Sequence, residues 1–206
     1  MASSGDTLVP DLPGETTGEL AGRILDAALE EFLAYGLRRA SIDSIARRAG
    51  LARATVYRRF GSKNDLTSAV VIRESRRLLV RLVRAVEDLP TVEERLTEAF
   101  VHGTREVRDH PLFTTLLRSE PETVLPYLTT DSEFVLGFAR AFLAGQFRRS
   151  PGPPIKADPD AAAEIVLRLS LSIILAPRGH IPLDTDDDLR TFAGVYLIPL
   201  LSAGAR

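Results

Sequence analysis

Between Gly36 and Lys63 the chain carries eight basic residues and one acid, Asp43, a local charge of +7 in a protein whose formal total is −2. The same stretch has the punctuation of two short helices. Ser41 is an N-cap residue ahead of Ile42, Ile45 and Ala46, which share one helical face. Gly50 is placed to end that helix, because glycine takes the left-handed C′ conformation without a steric penalty. A second helix, Arg53 to Phe60, follows at once, with Val56 and Phe60 four residues apart on its inner side. Two short helices joined by a tight glycine turn form a helix-turn-helix over about 41–60, the pattern whose second helix enters the DNA major groove. Such a dense basic patch in a slightly acidic chain is the footprint of a phosphate-binding face.

The run Ala49-Gly50-Leu51-Ala52-Arg53-Ala54-Thr55-Val56-Tyr57-Arg58-Arg59-Phe60, followed by Ser62-Lys63 and Leu66, resembles the signature of TetR-family transcriptional regulators. That signature reads roughly A-G-V-S-x-G-T-L-Y-x-H-F, then a short gap and K-x-x-L. Ala49, Gly50, Thr55, Tyr57, Phe60, Lys63 and Leu66 match it, and Leu51 and Val56 are apolar equivalents. Three positions depart from it. Ala52 stands where a serine usually caps the second helix, at a cost of about 1 kcal/mol. Ala54 replaces the common glycine and Arg59 the common histidine, so the DNA-facing surface is this chain's own and no known operator carries over.

The candidate DNA-binding residues are Ser41, Arg47, Arg48, Arg53 and Ala54, then Thr55, Tyr57, Arg58, Arg59 and Lys63. The hydroxyls of Thr55 and Tyr57 suit phosphate oxygens, and the resemblance implies that they touch the backbone. Lys63 lies in the first turn of the next helix, after Ser62 and before Asp65, where an ammonium and a helix N-terminus together make a phosphate clamp. Arg53, at the start of the second helix, is the best placed to pair with guanine O6 and N7. Arg58 and Arg59 are ~100° apart and cannot face the same groove wall, so either one can be the residue that faces DNA. Arg47 and Arg48, on the first helix of the pair, suit the DNA backbone.

The rest of the chain reads as all-α, with about nine helices. Residues 1–15 have the composition of a disordered arm, with three acids and no basic residue, so the arm is not expected to reach DNA. Thr16 and Glu19 form a capping pair for a first helix to about Tyr35, closed by Gly36, whose Ile24, Ala28 and Phe32 make a core-facing stripe. A long helix from Leu66 ends before Pro90. Thr91, Pro111, Asp131, Asp158 and Thr185 each begin a later one, Pro121 and Pro126 break up the segment between two of them, and Pro199 should kink or shorten the last. The resemblance divides the chain into a DNA-binding domain over 16–66 and an effector-binding and dimerisation domain over 67–206. It further implies an effector pocket, for which Phe100, Phe113, Leu116 and Leu117, with Tyr127, Phe134 and Phe138, are candidate wall residues. Few of these positions are charged, which favours an apolar effector. The resemblance also implies that the last two helices pair with their copies in a homodimer, through Ile165, Leu169, Ile173, Phe192, Tyr196 and Leu200. The Asp158–Ala176 helix agrees independently: it is apolar on most sides and must be covered on more than one face.

Cysteine is absent, so disulfides, thiolate metal sites and a cysteine nucleophile are unavailable. The three histidines are not spaced as a metal pair, and no nucleophile elbow, P-loop or dinucleotide fingerprint is present. No enzyme activity, metal or cofactor is expected. No apolar run approaches ~20 residues and no signal pattern opens the chain, so a cytoplasmic protein without membrane contact is expected. The expected function is a transcriptional regulator, a repressor on grounds of resemblance, that binds a near-palindromic double-stranded operator as a homodimer and is released by a small-molecule effector. The rivals are an all-helical binding module and a DNA-binding protein without effector. Thr55, Tyr57 and Lys63 together argue against the module, and a steep salt dependence of DNA binding would separate them.

Overall fold

The computed structural model describes residues 18–129 and 132–202, which are helical between short connections. The helices are α1 (Glu19–Arg39), α2 (Ile42–Ala49), α3 (Arg53–Phe60), α4 (Lys63–Val86) and α5 (Val92–Asp109). They continue with α6 (Pro111–Ser119), α7 (Pro121–Leu128), α8 (Glu133–Arg149), α9 (Pro159–Leu175) and α10 (Asp186–Phe192). From α10 the chain passes through a π-helical turn (Ala193–Leu197) into α11 (Ile198–Ser202). Thr16 and the 1–15 arm lie outside the described residues. No helix among those described is long and apolar enough to cross a membrane.

The chain forms two compact units. One contains α1 to α3, α4 as far as Arg77, and residues 110–126; the other contains 78–109 and the chain from Tyr127 onward. The division expected at 66/67 therefore differs from the one observed, in two ways. Helix α4 serves both units, and α6 joins the N-terminal unit because it packs on α1 and buries Leu112 and Leu116. Pro121 and Pro126 do not break up their segment either: Pro121 starts α7 and Pro126 is accommodated inside it.

In the N-terminal unit, Ile24, Ala28 and Phe32 of α1 are buried, as are Ile45 of α2, Val56 of α3 and Leu66 and Val70 of α4. Helix α1 is interrupted at Gly36 (φ 78°, ψ 165°), a backbone region open to glycine almost alone, and makes one more turn afterwards. The interruption leaves the Arg38 N–H without a helical acceptor. The carboxylate of Glu120, only 6% exposed, accepts it with both oxygens at 2.9 Å. Ser41 then starts α2 with a full capping box: its Oγ accepts the Ser44 N–H, and the Ser44 Oγ accepts the Ser41 N–H, each at 3.1 Å. Gly50 adopts the left-handed conformation (φ 65°, ψ 38°) that turns the chain into α3.

The second unit is built on α5, α8, α9 and the α10–α11 run. Phe100 of α5 stacks on Phe192 of α10 with ring centroids 5.5 Å apart, inside a core that includes Leu96, Val101, Ala163, Val166 and Leu197. Asp158 caps α9 by accepting the Ala161 N–H at 2.8 Å, with Pro159 in the first turn, where no donor is lost. Pro199 is tolerated because the preceding turn widens: the Ile198 N–H reaches back to the Ala193 oxygen, a π-type bond, before the proline interrupts the ladder.

Arg190 of α10 donates to Glu98 of α5 at 2.7 Å, and this bond holds the Glu98 carboxyl below its ordinary value of 4.5. A lowered carboxyl contributes stability at neutral pH and loses it as pH falls through that lowered value. Glu98→Gln should therefore flatten the acid limb of the stability profile below about pH 4.5. The partly exposed pair limits the effect at pH 7 to roughly 1 kcal/mol or less. Thermal melts between pH 3 and 7 read this directly, and an unchanged acid limb would remove the pair from the account.

Candidate nucleic-acid interface and ligand cavity

Helix α3 presents its faces in a fixed order. Val56 and Phe60 are buried, and Arg58 lies two residues from each, which at ~100° per residue points it directly away from the unit's core. Ala54, one turn earlier, shares that outward face. Thr55 and Arg59 occupy one flank, Arg53 and Tyr57 the other. Ala54, Tyr57, Arg58 and Arg59 are exposed. Arg47, Arg58 and Arg59 make no ion pair or side-chain hydrogen bond among the described residues. Arg58 thus points outward and Arg59 to the side.

Arg53 is differently placed from the expectation. Its Nη1 pairs with Asp43 of α2 at 3.0 Å, its Nη2 donates to the Tyr57 hydroxyl at 3.3 Å, and its guanidinium lies 5.2 Å from the Tyr57 ring centroid. The arrangement is a clamp across the helix pair that orients Tyr57 as much as Arg53. Ser41 spends its hydroxyl in the α2 cap.

Two expected DNA ligands have internal partners instead. Arg48 bonds Glu30 at 3.0 Å and the buried Glu31 at 3.2 Å, both on α1, so it joins α2 to α1. Lys63 donates to the carbonyl oxygen of Leu37, and at 3.4 Å to that of Arg38, at the end of α1. A cation there satisfies carbonyls that the end of a helix leaves open. Lys63→Ala should lower the melting temperature by a few degrees, for a loss of roughly 1 kcal/mol. A melt unchanged while DNA affinity falls would return Lys63 to the phosphate role.

In the second unit, residues of α4, α5, α8 and α9 line a partly open cavity of about 510 Å³. Its walls are mostly aliphatic and aromatic, including Leu82, Val83, Phe100, Phe142, Leu143 and Val166. Of the seven expected wall residues, Phe100 lines it. Phe138 packs nearby against the pair Val83 and Phe142 without lining it. Phe113, Leu116 and Leu117 belong to α6 in the N-terminal unit, where Phe113 lies over His110 and Leu116 is buried. The side chains of Tyr127 and Phe134 lie outside the described residues. The cavity also has polar residues that sequence reasoning passed over: Glu87, Arg95, Gln146, Arg149 and Ser150. A signal was present, since the Phe138–Phe142 stripe continues at the same spacing through Gln146 and Ser150 and turns polar.

The expected dimer residues divide. Ile165 (44% exposed) and Tyr196 (47%) face outward, joined by Val195 (56%), whereas Ile173 and Phe192 are buried in the chain's own core. Leu169 and Leu200 are half-buried against that core.

Residues 24–70 match the sequence model for bacterial regulatory proteins of the tetR family, and residues 88–194 that for the tetracyclin repressor C-terminal domain. Over 198 residues the chain is 30% identical to an uncharacterized HTH-type transcriptional regulator of Mycobacterium tuberculosis, covering 95% of this chain and 93% of that protein. The HTH-type transcriptional regulator AlkX of the same organism is 30% identical over 165 residues, covering 77% of this chain and 76% of AlkX. Among solved structures, the TetR family repressor AlkX of a Dietzia species, implicated in biodegradation of n-alkanes, aligns with a TM-score of 0.68 at 24% identity, over 87% of this chain and 94% of that one. The R. erythropolis repressor QsdR aligns with a TM-score of 0.67 at 19% identity, over 92% and 98%.

Proposed function

The chain belongs to the TetR family of bacterial regulatory proteins, and from that premise we propose that it is a cytoplasmic repressor that binds a near-palindromic operator as a homodimer. It is a transcriptional regulator with a helix-turn-helix DNA-binding domain. The observation that carries the finer reading is the outward face of α3, where Arg58 stands without an ion pair among the described residues and directly opposite the buried Val56 and Phe60. Arg58 reads a base edge in the major groove. Ala54 leaves room for a thymine methyl, and the hydroxyls of Thr55 and Tyr57 meet phosphates on either flank. Two copies place two α3 helices in successive grooves.

Dimerisation uses the exposed apolar residues of α9 and the last helical run, Ile165, Val195 and Tyr196. Ile165→Asp with Tyr196→Arg should convert a dimer into a monomer in sedimentation, and operator affinity should fall with it. A dimer that survives both changes would place the interface elsewhere.

The effector is a small, largely apolar molecule held in the second unit's cavity. Its release of DNA is a population shift carried by α4, which belongs to both units, and is limited by the effector's differential affinity for the two states. Salt tests the DNA reading: between 50 and 200 mM, affinity should fall by roughly 10³-fold or more if about six phosphates are neutralised. A flat dependence would contradict it.

A further inference from the structure

The cavity's charged and amide-bearing residues come from helix termini. Glu87 follows the last turn of α4, Arg95 lies in the first turn of α5, and Gln146, Arg149 and Ser150 close α8. The short connection from α4 to α5 brings the first two together. The remaining wall is apolar apart from Thr104 and Ser170. Together the helix-terminal residues supply two guanidinium groups against one carboxylate.

The two arginines differ. Arg95 is committed to the fold, its guanidinium donating to the backbone oxygens of Leu89 (2.8 Å) and Glu87 (2.5 Å). Arg149 is exposed, lines the cavity, and has no ion pair or side-chain hydrogen bond among the described residues. Its guanidinium folds back along α8 over Gly145, where a Cβ would lie 3.0 Å from Nη2. The missing side chain at 145 gives Arg149 its place, a cationic group on the wall of a largely apolar chamber.

We propose that the cavity takes an amphipathic ligand with an apolar chain and an anionic head, and that Arg149 binds the head. The inference rests on the effector reading above and adds the ligand's chemical class. A charge-assisted bond from guanidinium to carboxylate or phosphate supplies the orientation that aliphatic walls cannot. The uncharged amphiphile of equal length lacks it.

The experiment is calorimetric titration of the full-length protein with decanoate, decyl phosphate and 1-decanol below their aggregation thresholds. Either anion should bind at least tenfold more tightly than 1-decanol, and the tighter of the two identifies the head as carboxylate or phosphate. In Arg149→Gln that preference should fall close to one. In Arg149→Glu it should invert, with decylamine bound in preference to decanoate. Equal binding of the alcohol and both anions by the unmodified protein, or a preference for anions that persists in Arg149→Glu, overturns the inference and leaves an apolar effector standing. Binding by none of the probes overturns both.

Discussion

Replacing Arg58 by alanine should weaken operator binding by roughly 10²- to 10⁴-fold. The magnitude follows from symmetry: a bidentate arginine–guanine pair contributes about 1–3 kcal/mol of discrimination, and a dimer makes the contact once in each half-site. The loss should be confined to one base-pair position per half-site, so operators already altered there should bind the variant and the unmodified protein alike. Arg58 is exposed and without an ion pair among the described residues, so its removal leaves the fold's own contacts intact and the melting temperature unchanged. Arg53→Ala should behave otherwise. It opens the clamp to Asp43 and Tyr57 and should weaken binding at all sequences together, because Tyr57 loses its orientation. If Arg53→Ala changes the preferred base and Arg58→Ala does not, their roles are exchanged.

Gly36→Ala should be the most damaging single methyl in the N-terminal unit, costing roughly 2–6 kcal/mol. Two effects add. A φ of 78° with ψ 165° is a conformation that any side chain makes costly by about 1–3 kcal/mol. The new Cβ would also lie 2.6 Å from the Glu120 Oε1, forcing away the carboxylate that accepts the Arg38 N–H. That would leave a buried donor or a buried charge short of its partner, at a further cost of about 1–3 kcal/mol. Thermal unfolding should fall by roughly 5–20 °C. Gly22→Ala, with nothing within 4 Å of the added carbon, is the control and should not destabilise the protein. A wild-type melt for Gly36→Ala would mean that the interruption in α1 is not a fixed part of the fold.

Much of this architecture is legible in the sequence because its signals are local. Ser41, Gly50, Asp158 with Pro159, and Thr185 each act within three or four residues, and each starts or ends a helix where those residues predict. The outward face of α3 is likewise a matter of period, once Val56 and Phe60 are taken as core. What the sequence could not disclose depends on partners far along the chain. Arg48 reads as a DNA ligand from its place in a basic stretch, and Lys63 from its place at a helix N-terminus in that stretch. Their partners, Glu31 and the Leu37 carbonyl, are 17 and 26 residues away, and charge density alone cannot separate a paired cation from a solvated one. The resemblance implies a pocket wall that includes Phe113, Leu116 and Leu117, but it does not say which unit buries α6, and these residues do not line the cavity. Arg149 escaped notice because its significance comes from the chamber it borders, and no stretch of α8 taken alone describes that chamber.

The central claim is that the outward face of α3 reads DNA sequence, twice per dimer. The direct measurement is to incubate the unmodified protein and Arg58→Ala with sheared DNA from the source genome and sequence the fragments retained. The unmodified protein should recover an inverted repeat, and Arg58→Ala should lose the preference at one symmetric pair of positions within it. Recovery without a repeated pattern, or an identical pattern from both proteins, would contradict the claim.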